Sequence, residues 1–204
     1  MSKVLYISAS PRAMSVSNQG ARIFLEALGD NIEVEHIDLF KRNLPEVTEE
    51  MASAKFHFMM GSTMPMEEQH QWNQVLQLVE ELKQADHYLI AVPMWNFSLP
   101  YKLKHYIDLV NHPNLTFARD ENGPRGIIGG TATVIYSRGG DYSPKNEQPD
   151  PLDFQSTYLR AWLTSIGVSP INEFLLQQTM FGPDAIKNAI DAEANRLREL
   201  ASNI

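Results

Sequence analysis

Three short segments of this chain gather hydroxyls, amides and aromatic rings directly after apolar runs. The first, Ser8 to Asn18, follows Val4-Leu5-Tyr6-Ile7 and carries Ser10, Ser15, Ser17 and Asn18 just before a helical pattern. A helix start offers free backbone amides and the positive end of the macrodipole, so hydroxyls clustered there suit an anion. A plain capping role for Ser17 is the simpler reading of any serine-rich turn, but this turn is the first between strand and helix. Neither Gly-x-Gly-x-x-Gly nor Gly-Lys-Ser/Thr occurs in the segment, which points to a single phosphate. The second segment, Pro93-Met94-Trp95-Asn96-Phe97-Ser98-Leu99-Pro100, follows Tyr88-Leu89-Ile90-Ala91-Val92. Two large rings flanking an amide, with proline on either side, suit a rigid wall for a planar ligand whose edge bonds to backbone. The third, Ser137-Arg138-Gly139-Gly140-Asp141-Tyr142, follows Ala132-Thr133-Val134-Ile135-Tyr136. Gly139 and Gly140 permit close backbone approach, while Arg138 reads by default as a surface charge. Together the segments suit a phosphorylated planar heteroaromatic.

Such loops must be positioned by strands. The unbroken run from Tyr88 to Val92 predicts a strand buried on both faces, and strand and helix signals alternate throughout. This is the pattern of a doubly wound parallel sheet, which binds ligands at the carboxyl ends of its strands. Ile32, Val34 and Ile37 alternate with polar residues and predict a half-exposed strand at or near an edge. Helices are expected from about Ser17 to Gly29, around Val75, Leu78, Val79 and Leu82, from Leu99 to Val110, from Leu152 to Gly167, and from Ile186 to Leu200. Ile171 to Leu176 completes five strands. The stretch from about Phe40 to Pro65 has no clear period. Thr116 to Arg119 and Gly126 to Ile128 flank Asp120-Glu121-Asn122-Gly123, where Asn-Gly signals a hairpin inserted before the fourth strand.

Composition narrows the classes. A chain of 204 residues with 43% hydrophobic content can bury a full core, and no linker divides it, so one domain is expected over 1–204. Cysteine is absent, which removes disulfides, thiolate catalysis and Cys-based metal sites. The chain shows no signal-peptide pattern and no apolar run of spanning length, so no membrane partner and a cytoplasmic location are expected. A formal charge of -8 argues against nucleic acid. His36, His57, His70, His87, His105 and His112 are scattered without metal-ligand spacing, and there is no Gly-x-Ser-x-Gly elbow. No metal site is expected.

The ordered set of Ser10, Ser15-Val16-Ser17-Asn18-Gln19, Pro93 to Phe97, Leu103 to Asp108, Thr116-Phe117, Glu121 to Pro124 and Ser137 to Gly140 resembles the FMN-dependent NADH-azoreductases. These are flavodoxin-like flavoenzymes that also reduce quinones. The resemblance spans essentially the whole chain. It implies an α/β flavodoxin-like fold, a doubly wound five-stranded parallel sheet with helices on both faces. It further implies that Ser10, Ser15, Val16 and Ser17 hold the FMN phosphate, and that Pro93, Met94, Trp95, Asn96 and Phe97, with Ser137, Arg138, Gly139 and Gly140, line the flavin. Trp95 and Phe117 would bind substrate. Arg12 beside the phosphate and Trp95 in place of a common tyrosine depart from the family pattern.

The implied activity passes a hydride from NADH or NADPH through flavin N5 to quinones or aromatic azo compounds, by a ping-pong mechanism in which no side chain is an obligatory acid or base. The family is homodimeric, each site closed partly by the other subunit, and Phe117 with Trp95 offers more apolar surface than one monomer rim needs. The Met-rich stretch from Phe56 to Met66 reads most simply as adaptable packing, and otherwise as a lid or dimer contact. A flavodoxin-type electron carrier and a free-flavin reductase are the competing functions.

Overall fold

The computed structural model describes residues 2–121, 123–144, 148 and 150–204. Its main sheet has five parallel strands, β1 (Lys3–Ser8), β2 (Glu33–Asp38), β3 (His87–Pro93), β6 (Thr131–Ser137) and β7 (Ile171–Leu176), in the order β2-β1-β3-β6-β7. Between α4 (Tyr101–Val110) and β6 lies an antiparallel hairpin of β4 (Phe117–Asp120) and β5 (Gly123–Gly126). The other helices are α1 (Val16–Glu26), α2 (Glu49–Met60), α3 (Met66–Lys83), α5 (Phe154–Ser165) and α6 (Pro183–Ala201). This is the flavodoxin-like arrangement.

The period of two in the central strands sorts the core into two layers. On one face Leu5, Ile7, Tyr88, Ile90, Val92, Val134 and Tyr136 pack with residues of α2, α3, α4 and α5. On the other, Val4, Tyr6, Leu89, Ala91 and Ile135 pack with α1 and α6. Gly20 lets α1 lie close, because a Cβ there would stand 2.9 Å from Ile135 Cγ2. β2 is an edge strand, with Val34 exposed and Ile37 buried.

Several boundaries differ from expectation. α1 ends at Glu26 with Ala27 as its cap, short of Gly29. Leu99 precedes α4, whose N-cap is Pro100, and Leu152 lies exposed ahead of α5, whose N-cap is Asp153. The unassigned stretch contains α2, opened by Thr48 Oγ1 accepting from the Met51 amide and closed by Gly61 at φ 61°. In the hairpin Asp120 pairs with Gly123, so Gly123 belongs to β5; Asn122 lies outside the described residues. No described helix is long and apolar enough to cross a membrane.

Candidate functional site

β1 delivers the serine-rich loop to the carboxyl end of the sheet, where the Ala9 amide donates to Ala91 O at 3.0 Å. Ser15 is the N-cap residue of α1 and Ser17 lies inside its first turn, so the helix starts two residues earlier than a Ser17 cap requires. The Ser15 side chain makes no capping bond; its Oγ is 3.0 Å from Ser17 Oγ. The first helical bond runs from the Gln19 amide to Ser15 O at 3.0 Å, which leaves the amides of Val16, Ser17 and Asn18 without a helical acceptor. Ser10, Ser15 and Ser17 are all buried, Ser17 completely. Buried hydroxyls that decline to cap, over free amides at a helix start, fit a phosphate. Arg12 beside them is exposed, and its amide donates to Ser10 Oγ at 3.3 Å.

The aromatic loop is joined to the glycine loop by the Met94 amide, which donates to Ser137 O at 2.8 Å. Trp95 and Ser98 then exchange backbone bonds of 2.9 and 3.0 Å around Asn96 at φ 47° and Phe97 at φ 69°. Positive φ at both central positions is the signature of a two-residue type I′ turn. Asparagine tolerates it, whereas a phenylalanine there costs about 1–2 kcal/mol of backbone strain. The turn leaves Asn96 exposed and Phe97 43% exposed at the rim. Trp95 stacks obliquely on Phe40 with centroids 5.7 Å apart, and Phe40 meets Tyr101 edge-on at 5.8 Å. A cleft of ≈ 490 Å³ opens beside them, lined by Trp95, Asn96, Tyr101 and Tyr158 among others.

Arg138 is no surface charge. It is 1% exposed, its Nε donates to Gln155 Oε1 at 2.9 Å and its Nη2 to Asp153 Oδ2 at 2.8 Å. Gln155 Nε2 in turn donates to Val92 O at 3.0 Å, which ties α5 and the glycine loop to the end of β3. The guanidinium thus braces the loop from inside, and the backbone of Arg138 is itself bonded, its amide donating to Leu176 O at 2.9 Å and its carbonyl accepting from the Thr179 amide at 3.0 Å. Neither glycine has positive φ; a Cβ on Gly139 would approach only Met180, at 3.6 Å.

Phe117 does not share this rim. α4 runs antiparallel to the strands, so the connection from it re-enters β6 at the amino end of the sheet. There Gly126, the register partner of Phe117, abuts the Gly167 backbone so closely that a Cβ would lie 1.9 Å from its nitrogen. Ile128 N–H donates to Ile166 O at 3.0 Å, at the far end of α5. Phe117 and Trp95 therefore stand at opposite ends of one chain. The spacing of residues along the sequence does not reveal which end a hairpin occupies. Phe40 and Tyr101, which the sequence reading did not bring to this rim, join it from segments with no motif of their own, and Tyr142 of the third segment meets the Phe97 ring at 6.3 Å.

Comparison with known proteins agrees with this fold. A family profile described as flavodoxin-like fold matches residues 2–201. The chain is 36% identical over 211 residues to FMN-dependent NADH:quinone oxidoreductase 3 of Pseudomonas fluorescens, covering 100% of this chain and 98% of that protein. It is 40% identical over 187 residues to the FMN-dependent NADH:quinone oxidoreductase of Desulfotalea psychrophila, covering 88% and 87%. Among solved structures, an FMN-dependent NADH-azoreductase of Bacillus anthracis in complex with FMN superposes with a TM-score of 0.86 at 26% identity, covering 98% of this chain and 100% of that one. The chain belongs to the family of FMN-dependent NADH:quinone oxidoreductases and azoreductases of flavodoxin-like fold.

Proposed function

We propose that this chain is an FMN-dependent NADH:quinone oxidoreductase that also reduces aromatic azo compounds. The observation that carries the reading is the start of α1, where three amides without a helical acceptor accompany the buried, paired hydroxyls of Ser15 and Ser17, and Ser15 makes no capping bond. Bound FMN supplies two-electron chemistry between the nucleotide donor and the acceptor. The chain's own part is positioning. Ser10, Ser15, Ser17 and the amide of Val16 would hold the phosphate. Pro93 to Phe97 and Ser137 to Gly140 would line the ring, with backbone amides placed against negative charge at its edge. The rigid type I′ turn holds the Phe97 ring at the open side, where donor and acceptor would occupy one slot in turn, as a ping-pong mechanism requires.

The working unit is a homodimer in this reading. Phe117 is at the wrong end to wall its own site, so its place as a substrate contact is in the slot of the partner subunit. The Met-rich stretch supports the same arrangement. Phe58 and Met64 pack on the core, but Phe56, Met59, Met60 and Met66 are exposed on and beside α2, more apolar surface than packing under a connection explains. Steady-state NADH consumption with menadione and with an azo dye, without any partner protein, tests the function. Turnover with parallel double-reciprocal lines is expected. A protein that takes up FMN yet turns over neither acceptor is an electron carrier of the flavodoxin type.

A further inference from the structure

The outer side of the serine-rich loop walls a second cleft, of ≈ 370 Å³, between α1 and the edge strand β2. Tyr6 and His36, register partners on β1 and β2, floor it as stacked rings with centroids 4.3 Å apart and planes at 14°. Tyr6 OH donates to Asn18 Oδ1 at 3.3 Å, and His36 Nε2 lies 2.9 Å from Ser8 Oγ, so both rings are held. Tyr6 is buried and its hydroxyl is pushed up to about 12, by burial first and then by Asp38, so it is a neutral donor near neutrality. No strand lies beyond β2, and the outer face of His36 is open to solvent.

The charge in this cleft opposes that of the chain. Arg12, Arg22 and Lys41 line it against one acid, Asp38, which pairs with Lys41 at 3.1 Å. Among the described residues neither Arg12 nor Arg22 has an ion-pair partner, in a chain of formal charge -8. Ser10 and Asn18 of the serine-rich loop line its inner wall, while Ser15 and Ser17 do not, so the cleft adjoins the phosphate loop from the outside. A planar ring with one free face beside two unpaired guanidiniums is a platform for a base next to a clamp for a phosphate. The volume is that of a small ligand.

We propose that this cleft is a second nucleotide site, which takes a nucleoside 5′-monophosphate group with its base on His36 and its phosphate between Arg12 and Arg22. The group comes either as a free nucleotide or as the adenylate half of the dinucleotide donor.

Calorimetric titration of the FMN-loaded protein with AMP, adenosine and inorganic phosphate tests this. AMP is expected to bind once per chain, more tightly than either fragment, with the flavin retained. Arg22→Gln should weaken AMP about tenfold without changing adenosine, and His36→Ala should weaken both about tenfold, one charge-assisted contact and one stacking contact respectively. Flavin content, read by absorbance, should be unchanged in both variants. A raised Michaelis constant for NADH in Arg22→Gln with kcat unchanged identifies the donor's adenylate as the source; an unchanged constant with lost AMP affinity identifies a free nucleotide. AMP that binds no better than adenosine and phosphate, that binds both variants as it binds the parent, or that displaces FMN overturns the proposal. Flavin uptake is read separately by absorbance before AMP is added, so failure of the AMP titration in flavin-loaded protein is separable from failure of the flavin reading.

Discussion

The guanidinium of Arg138 and the carboxylate of Asp153 meet at 2.8 Å with side chains only 1% and 10% exposed, and Asp153 is also the N-cap of α5. One carboxylate therefore accepts from the buried cation, from the Ser156 amide and from the Ser156 hydroxyl. The glycine loop and the start of α5 are one unit.

Arg138→Met should leave Asp153 buried without its cation and lower stability by about 3–5 kcal/mol. Lysine should not rescue it, because a single ammonium cannot reproduce the forked contacts to Asp153 and Gln155. Urea unfolding checks the loss, and an Arg138→Lys protein as stable as the parent contradicts the bracing role.

Phe97→Gly separates strain from function. Glycine adopts φ 69° freely, so stability should hold or rise by up to about 1 kcal/mol. Loss of the exposed ring should raise the Michaelis constant for menadione while FMN content stays constant. A clear drop in melting temperature would show that the ring packs as core.

Two buried histidines make the fold acid-sensitive. His87 lies 2.7 Å from Thr131 Oγ1 and 3.0 Å from Thr133 Oγ1, and burial lowers it from 6.5 to about 4. Burial, aided by Lys55, lowers His112 likewise to about 4. The native state resists these protons and the unfolded chain accepts them, so each contributes stability above pH 6.5 that is lost as pH falls toward 4. The loss is at most about 3 kcal/mol per histidine. Urea midpoints measured between about pH 7 and about pH 5 should fall, and His87→Gln should flatten the fall; a flat profile in the parent contradicts it.

Light scattering should give about twice the chain mass of 23.1 kDa. Phe117→Ala should then raise the Michaelis constant for quinone or dye more than it alters FMN retention. A fully active monomer leaves Phe117 as packing at the amino end of its own sheet.

What could be read from the chain depended on how local the determinants were. The Tyr88 to Val92 run, the serines before α1 and the Trp95 loop each carry their meaning within a few residues, and they occupy the positions their patterns imply. α2 was invisible because only Met51 and Ala54 are buried while its Phe and Met residues spread around the helix, giving no face to detect. Arg138 was misread because its partners, Asp153 and Gln155, lie on a helix 15 and 17 residues away. The end of the sheet that Phe117 occupies follows from the direction of α4, which no residue type encodes.

The most direct test of the whole account replaces Ser15 and Ser17 together by alanine and titrates the protein with FMN and with riboflavin. The two hydroxyls face each other at 3.0 Å over free amides, and the loss in FMN binding should be roughly 2–4 kcal/mol, discounting for the amides that remain. Riboflavin, which lacks the phosphate, should bind as it does to the parent. Equal weakening of both flavins, or no weakening of either, contradicts a phosphate site at the start of α1.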